Sequence, residues 1–228
     1  ELLLVLQQRH ADGFAAGACG PARLAVFHVV LQLRHLLFGS LQLALRRAEG
    51  AQRAHAAAAR QCQDVTVLIN NAGIAETGGF LSEGAEAMLL RQLEVNVLGP
   101  LRLTRAFAPV LANNGGGAVI NVLSVASWLT GPLLATYAAT KSTAWSLTNA
   151  LRQELAAQHT HVLGLHAGFI DTDLTTGIEA PKATPQAIVT AAFDGLQQGA
   201  MQVLADDITK QVHQALSPHP QVYLLAAE

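Results

Sequence analysis

A chain of 228 residues is long enough for one α/β domain with a large core. Its net charge of −2, with no block of Lys or Arg, excludes a nucleic-acid footprint. The apolar stretch 22–45 contains Arg23, His28, Gln32, Arg34 and His35, which rules against a membrane span there.

Charged residues make up only 13% of the chain, about half the usual share. So little charge leaves apolar surface for a partner chain to cover, and the expectation is a homodimer or homotetramer. Cys19 and Cys62 form no Cys-x-x-Cys pattern; a reducing cytoplasm is the simpler reading, with a single disulfide left open. The chain begins at Glu1 without a charged-then-apolar layout, so no targeting segment is expected. No metal site is expected either.

Residues 1–63 differ from the rest. They contain no Thr, Ile, Asn, Lys, Met, Trp or Tyr, whereas residues 64–228 contain 15 Thr, 7 Ile and 7 Asn. They also hold seven Arg against three acids, where the remainder holds seven Lys/Arg against thirteen acids. Two readings fit: a biased Ala/Leu/Arg-rich portion, or a segment translated from the wrong frame or otherwise replaced. Within it, Leu2–Leu6 reads as a short strand and Leu24–Phe38 as a helix with a polar stripe of His28, Gln32 and His35. Those histidines read as a solvated stripe. Leu41–Leu45 alternates like a strand, and Ala48–Cys62 is helical by propensity.

From Asp64 the pattern sharpens. Val65–Ile69 is a continuous apolar run, as in a parallel strand covered on both faces, and Asn70-Asn71-Ala72-Gly73 ends it with turn residues. Leu93–Leu111 reads as a helix, Ala118–Leu123 as a strand, Tyr137–Gln158 as a helix and Val162–His166 as a strand. Thr184-Pro185 reads as an N-cap with proline at the first helical position, and Gly199 as the stop of that helix. Val203 and Leu204 suggest a last strand. Strands alternating with long helices predict a Rossmann-like, doubly wound parallel α/β sheet, as a single domain over 1–228.

Tyr137 and Lys141 are four apart, so on a helix they share one face. A free phenol has a pKa of roughly 10, and a nearby ammonium favours its ionised form, which makes a proton donor and acceptor for neutral pH. Ser124 supplies a hydroxyl that can hold a substrate oxygen. Each residue also has a structural reading. Asn70 and Asn71 can simply close a turn, Asn96 can face water, Ser124 can cap a backbone amide, and Lys141 can snorkel.

In chain order, Asn70-Asn71-Ala72-Gly73, Asn96 in Val-Asn-Val-Leu-Gly, Ser124, Tyr137-x-x-x-Lys141, and Gly168 with Thr172 resemble the short-chain dehydrogenase/reductase family. The resemblance runs from about residue 64 to the C-terminus, roughly 70% of the chain, and residues 1–63 match it poorly. It implies NAD- or NADP-dependent hydride transfer between an alcohol and a carbonyl compound. It implies Tyr137 as general acid and base, Lys141 as the cation that activates it and binds the nicotinamide ribose, and Ser124 as a donor to the carbonyl oxygen. Asn96 would hold a water linking Lys141 to solvent. Asn71, Ala72 and Gly73 would line the adenosine side, with Gly168 and Thr172 at the nicotinamide. Trp128, Leu129, Leu133, Leu134 and the 174–178 loop would shape an apolar pocket.

The family's glycine-rich phosphate loop has a near-match only in Gly13, Gly17 and Gly20, with Cys19 where a glycine is expected. No acidic or basic residue that would choose NAD or NADP can be placed. The family's Pro-Gly stands as Ala167-Gly168, which keeps the turn and loses the rigidity of proline. The alternative to an enzyme is a non-catalytic binding or structural protein of the same fold that has lost cofactor binding through its first 63 residues.

Overall fold

The computed structural model describes residues 23–27, 53 and 55–216. Gly13, Gly17, the expected strands Leu2–Leu6 and Leu41–Leu45, and the stripe of His28, Gln32 and His35 lie outside them. The sheet comprises β1 (Arg23–Phe27), β2 (Val65–Asn70), β3 (Gly117–Val122), β4 (Thr160–His166) and β5 (Gln202–Leu204), in that order. Every neighbouring pair is parallel. Five helices have defined bounds: α1 (Ala85–Leu93), α2 (Gly99–Asn113), α3 (Ala135–Glu154), α4 (Pro185–Gln197) and α5 (Asp207–Ala215). Residues 55–61 are helical as well.

The unbroken apolar runs of β2, β3 and β4 follow from cover on both faces. On one face Ile69, Ile120, Leu163 and Leu165 meet Ile188, Val189 and Phe193 of α4. On the other, Leu68, Val119 and Val162 meet Phe107 and Leu111 of α2 and Leu151 of α3. Phe107 and Leu111 are fully buried; each such side chain contributes roughly 1.5–3 kcal/mol by leaving water. Arg152 of α3 then locks the sheet edge, donating to the Val162 carbonyl at 3.1 Å and the Met201 carbonyl at 2.8 Å.

Two features differ from the sequence reading. The helix expected over Leu24–Phe38 is a strand at residues 23–27, because pairing with β2 satisfies backbone groups that an unpartnered strand edge would leave open. The helix expected from Leu93 begins eight residues earlier, at Ala85, and passes through a π-helical turn at Glu94–Leu98 before α2. Pro100 has no N–H to return to the Asn96 carbonyl, and the Gly99 amide bonds Glu94 O instead, five residues back. The wider turn falls on Asn96.

The other elements expected among the described residues match to within a few residues. Thr184 caps α4 by accepting from the Ala187 amide, Pro185 opens it, and Gly199 stands at φ 68° just past its end. Helix α5 was not anticipated. Asp206 caps it through the Thr209 amide, and Asp206 also holds the turn after β4.

Candidate active site

The carboxyl ends of β2, β3 and β4 open on a cleft of about 570 Å³. Asn71 and Gly73 after β2, Ser124 after β3, Tyr137 and Lys141 on α3, and Gly168 and Thr172 after β4 all line it. This is where an open parallel sheet places its ligands.

Lys141 is buried, and its Nζ donates to the Val122 carbonyl at 2.9 Å. An ammonium has three donors, so two remain for the cleft. Its Nζ lies 5.7 Å from the centre of the Tyr137 ring, as one helical turn between them requires. Ser124 is also buried, and its Oγ accepts from the Ala126 amide at 3.1 Å. That bond occupies a lone pair and leaves the hydroxyl hydrogen to donate elsewhere.

Asn96 is committed to structure through its side chain. Its Nδ2 donates to the Ile74 carbonyl at 2.9 Å and to Thr140 Oγ1 at 3.0 Å, and its Oδ1 accepts from the Ile74 amide at 2.9 Å. It thereby fixes the segment after Gly73, whose position for a Cβ lies 3.8 Å from Lys141 Nζ. Ala72 faces away from the cleft, into a small buried space with Asn70, Asn96 and Asn121. Beneath it, Asn70 Nδ2 donates to Asn121 Oδ1 at 2.7 Å, and Asn121 Nδ2 donates to Thr148 Oγ1 at 2.9 Å. This chain ties the ends of β2 and β3 to α3.

Gly168 donates its amide to Asp206 Oδ2 at 2.6 Å, and a Cβ there would lie 2.5 Å from Ile208 Cγ2. Any larger residue would have to displace the Ile208 side chain at the start of α5. Thr172 starts a short 3₁₀ turn at Asp173–Thr175, in a reciprocal capping arrangement with Thr175. Lys182 donates to the Thr175 carbonyl at 2.9 Å and holds that loop.

The expected pocket needs correction in part. Leu134, Leu174 and Ile178 line the cleft, joined by Phe169 and Ile208. Trp128 and Leu129 do not, and Leu133 is largely exposed. The Trp128 ring is drawn away by the buried His166, on which it stacks at 4.0 Å, and it meets Trp145 edge-on and the His213 ring at a tilt, 5.0 Å between centres. Sequence reasoning missed His166, Asp206 and Ile208. Only Asp206 carried a readable signal, an Asp three residues before Thr209 at a helix start.

A twisted parallel sheet with a ligand cleft at its carboxyl ends, lined by Ser124, Tyr137 and Lys141, defines the class as a Rossmann-like α/β protein. The family model for short chain dehydrogenases matches residues 10–183, and the chain belongs to that family. The match takes in much of the compositionally unusual N-terminal portion. Among curated relatives, dehydrogenase/reductase SDR family member 4 of Caenorhabditis elegans is 33% identical over 111 residues, covering 49% of this chain and 43% of that protein. Estradiol 17-beta-dehydrogenase 11 of Macaca fascicularis is 32% identical over 141 residues, covering 58% and 46%. The chain spans about half the length of these relatives. Among solved structures, a short chain dehydrogenase from Burkholderia cenocepacia in complex with NADP superposes with a TM-score of 0.71 at 34% identity. It covers 75% of this chain and 71% of that one. A short-chain dehydrogenase from Sphingobium yanoikuyae in complex with NADPH gives 0.63 at 26%, covering 75% and 68%.

Proposed function

We propose that the chain is an NAD(P)-dependent oxidoreductase that interconverts an alcohol and a carbonyl compound, with Tyr137 as general acid and base. The observation that carries this reading is the convergence on one cleft of a phenol, a buried ammonium with two donors to spare and a serine hydroxyl whose hydrogen is uncommitted. The nicotinamide end of a dinucleotide fits these residues: Lys141 would hold its ribose, Thr172 its carboxamide, and the bare backbone at Gly73 leaves room beside Lys141. Bound there, it supplies the hydride.

The chain's own residues handle the oxygen and its proton. Ser124 donates a hydrogen bond to the substrate carbonyl oxygen, so charge developing there in reduction meets a fixed donor. Tyr137 gives that oxygen a proton, and the Lys141 ammonium faces the negative charge left on the phenol. In oxidation the same proton returns to Tyr137. Asn96 holds the segment beside Lys141, and we assign it the water that passes protons between Lys141 and solvent. Phe169, Leu174, Ile178 and Ile208 suit a mostly apolar substrate. The adenosine side falls to Asn71 and Gly73, with Ala72 supporting them from behind.

We further assign one domain over 1–228, a homodimer or homotetramer, and a cytoplasmic setting; no described helix is long and apolar enough to cross a membrane. A non-catalytic protein of the same fold is the second reading. It is favoured by the sequence after β1, where Phe27 is followed by His28-Val29-Val30 and no glycine until Gly39. Titration with NADH and NADPH, followed by thermal shift and nicotinamide fluorescence, separates the two. Stabilisation by one of them is expected; none at about a hundred times an ordinary micromolar Kd sinks the enzyme reading.

A further inference from the structure

We propose that His166 is the positioning residue of Ser124, holding the serine's backbone so that its hydroxyl faces the cleft; this rests on the oxidoreductase reading of the same site. His166 ends β4 and is fully buried. Its Nδ1 lies 3.2 Å from the Ser124 carbonyl, which can only accept, so Nδ1 carries the proton and donates. Nε2 is buried without a partner and, in the neutral ring with its proton on Nδ1, carries the lone pair.

The bond gives a second donor to a carbonyl at the end of the backbone ladder. Just past β3, the Leu123 amide donates to Leu165 O at 2.7 Å and the Val125 amide to Ala167 O at 2.9 Å. The Ser124 carbonyl lies between these two anchors and turns the other way. It accepts from the Ser127 amide at 3.0 Å, which starts the 3₁₀ turn, and from His166. The ring itself cannot swing. Trp128 lies on it at 4.0 Å with 17° between planes, and the His166 carbonyl is held by the Ala205 amide at 2.9 Å. Burial keeps the imidazole neutral, with its pKa lowered to about 4, so the arrangement persists through the working pH range. His166 touches neither the cleft nor a reacting atom. It acts through Ser124.

The test is a double-mutant cycle with two conservative replacements. His166→Phe keeps the flat ring against Trp128 and removes the donor; His166→Asn returns an N–H near the position of Nδ1. With NADPH and an apolar ketone, H166F should lower kcat about tenfold or more with KM for the cofactor unchanged. H166N should restore most of it. In an S124A background, H166F should change turnover less than about twofold, because its only route is already gone. Additive losses in that background, or an H166F enzyme with parental kcat, would overturn the proposal.

Nitrogen-15 spectra of the parent imidazole give a readout free of activity. They should show Nδ1–H and a bare Nε2, with Ser124 resonances displaced in H166F and returned in H166N. An Nε2–H tautomer, or Ser124 resonances indifferent to both variants, overturns the assignment. If the parent chain reduces no carbonyl compound, the oxidoreductase reading falls by itself, and the spectra still decide whether His166 positions Ser124.

Discussion

Two ends of the sheet differ in how much of a site they carry. Across β3, α3 and β4, the segments bordering the cleft are held by hydrogen bonds: Lys141 to Val122, Asn96 to Ile74 and Thr140, Gly168 to Asp206, and Ser124 to Ala126 and His166. Beside β1 the described residues contribute a strand and its backbone register, and no glycine turn follows in the sequence until Gly39. The lesson is that proton chemistry and cofactor anchoring are separable properties of this fold. The first, as proposed, rests on side chains that line one cleft. The second depends on backbone amides at a turn that nothing in β2 to β5 can replace.

The sharpest way to test the well-built end is to remove the proton. Tyr137→Phe keeps the ring and its packing and deletes the acid. Turnover should fall by about 10²–10⁴-fold while the Kd for NADPH stays within about twofold. Loss of both would mean that Tyr137 holds the cofactor instead of the substrate proton.

Stability should separate the two ends as well. Phe107 is fully buried between α2 and the sheet, so Phe107→Ala should cost about 3–5 kcal/mol in urea unfolding. A loss below about 1 kcal/mol would show that this core is not closed in solution.

The buried His166 provides a pH signature of nearly that size. Its folded pKa is about 4 against an ordinary 6.5, so between those values the unfolded chain takes up a proton that the folded chain refuses. Its contribution is therefore complete above pH 6.5 and is lost as pH falls toward 4, by about 3 kcal/mol in all. Denaturant titrations at pH 7, 5.5 and 4 should show that loss, and H166F should flatten it. An unchanged slope in H166F would place the acid sensitivity elsewhere.

What could be read from the sequence followed the range of the interaction. Tyr137 and Lys141 were legible because one helical turn brings them together, and Thr184-Pro185 because a cap is a local bond. The parallel strands β2 to β4 were legible from unbroken apolar runs. The strand at residues 23–27 was not, since Leu24-Ala25-Val26-Phe27 continues into further apolar residues with no turn between, and only its partner β2 decides the conformation. Trp128 was misplaced for a similar reason. Its position between Ser124 and Tyr137 suggested a pocket wall, but a histidine 38 residues away claims its face. Asp206 reaches Gly168 across the same kind of distance, and no spacing rule announces it.

The weaker end yields the smallest expected effect and the most direct comparison. The residues that line the cleft can meet a nicotinamide, its ribose and a substrate: Lys141 has donors to spare, Thr172 caps the next turn, and Gly73 leaves the backbone open. None of them supplies the run of backbone amides at a helix start that a pyrophosphate requires. Reduced nicotinamide mononucleotide, which lacks the adenosine half, should therefore bind within about tenfold of NADPH, a gap of about 1.4 kcal/mol. In a fold with a working phosphate turn, the second half of the dinucleotide adds far more than that. A gap of a hundredfold or greater would locate a phosphate cradle within residues 1–63, with Gly13 and Gly17 the first glycines to replace by alanine. Affinity should then fall in those variants while the pH signature of His166 stays as it was, because the two ends share no side chain among the described contacts.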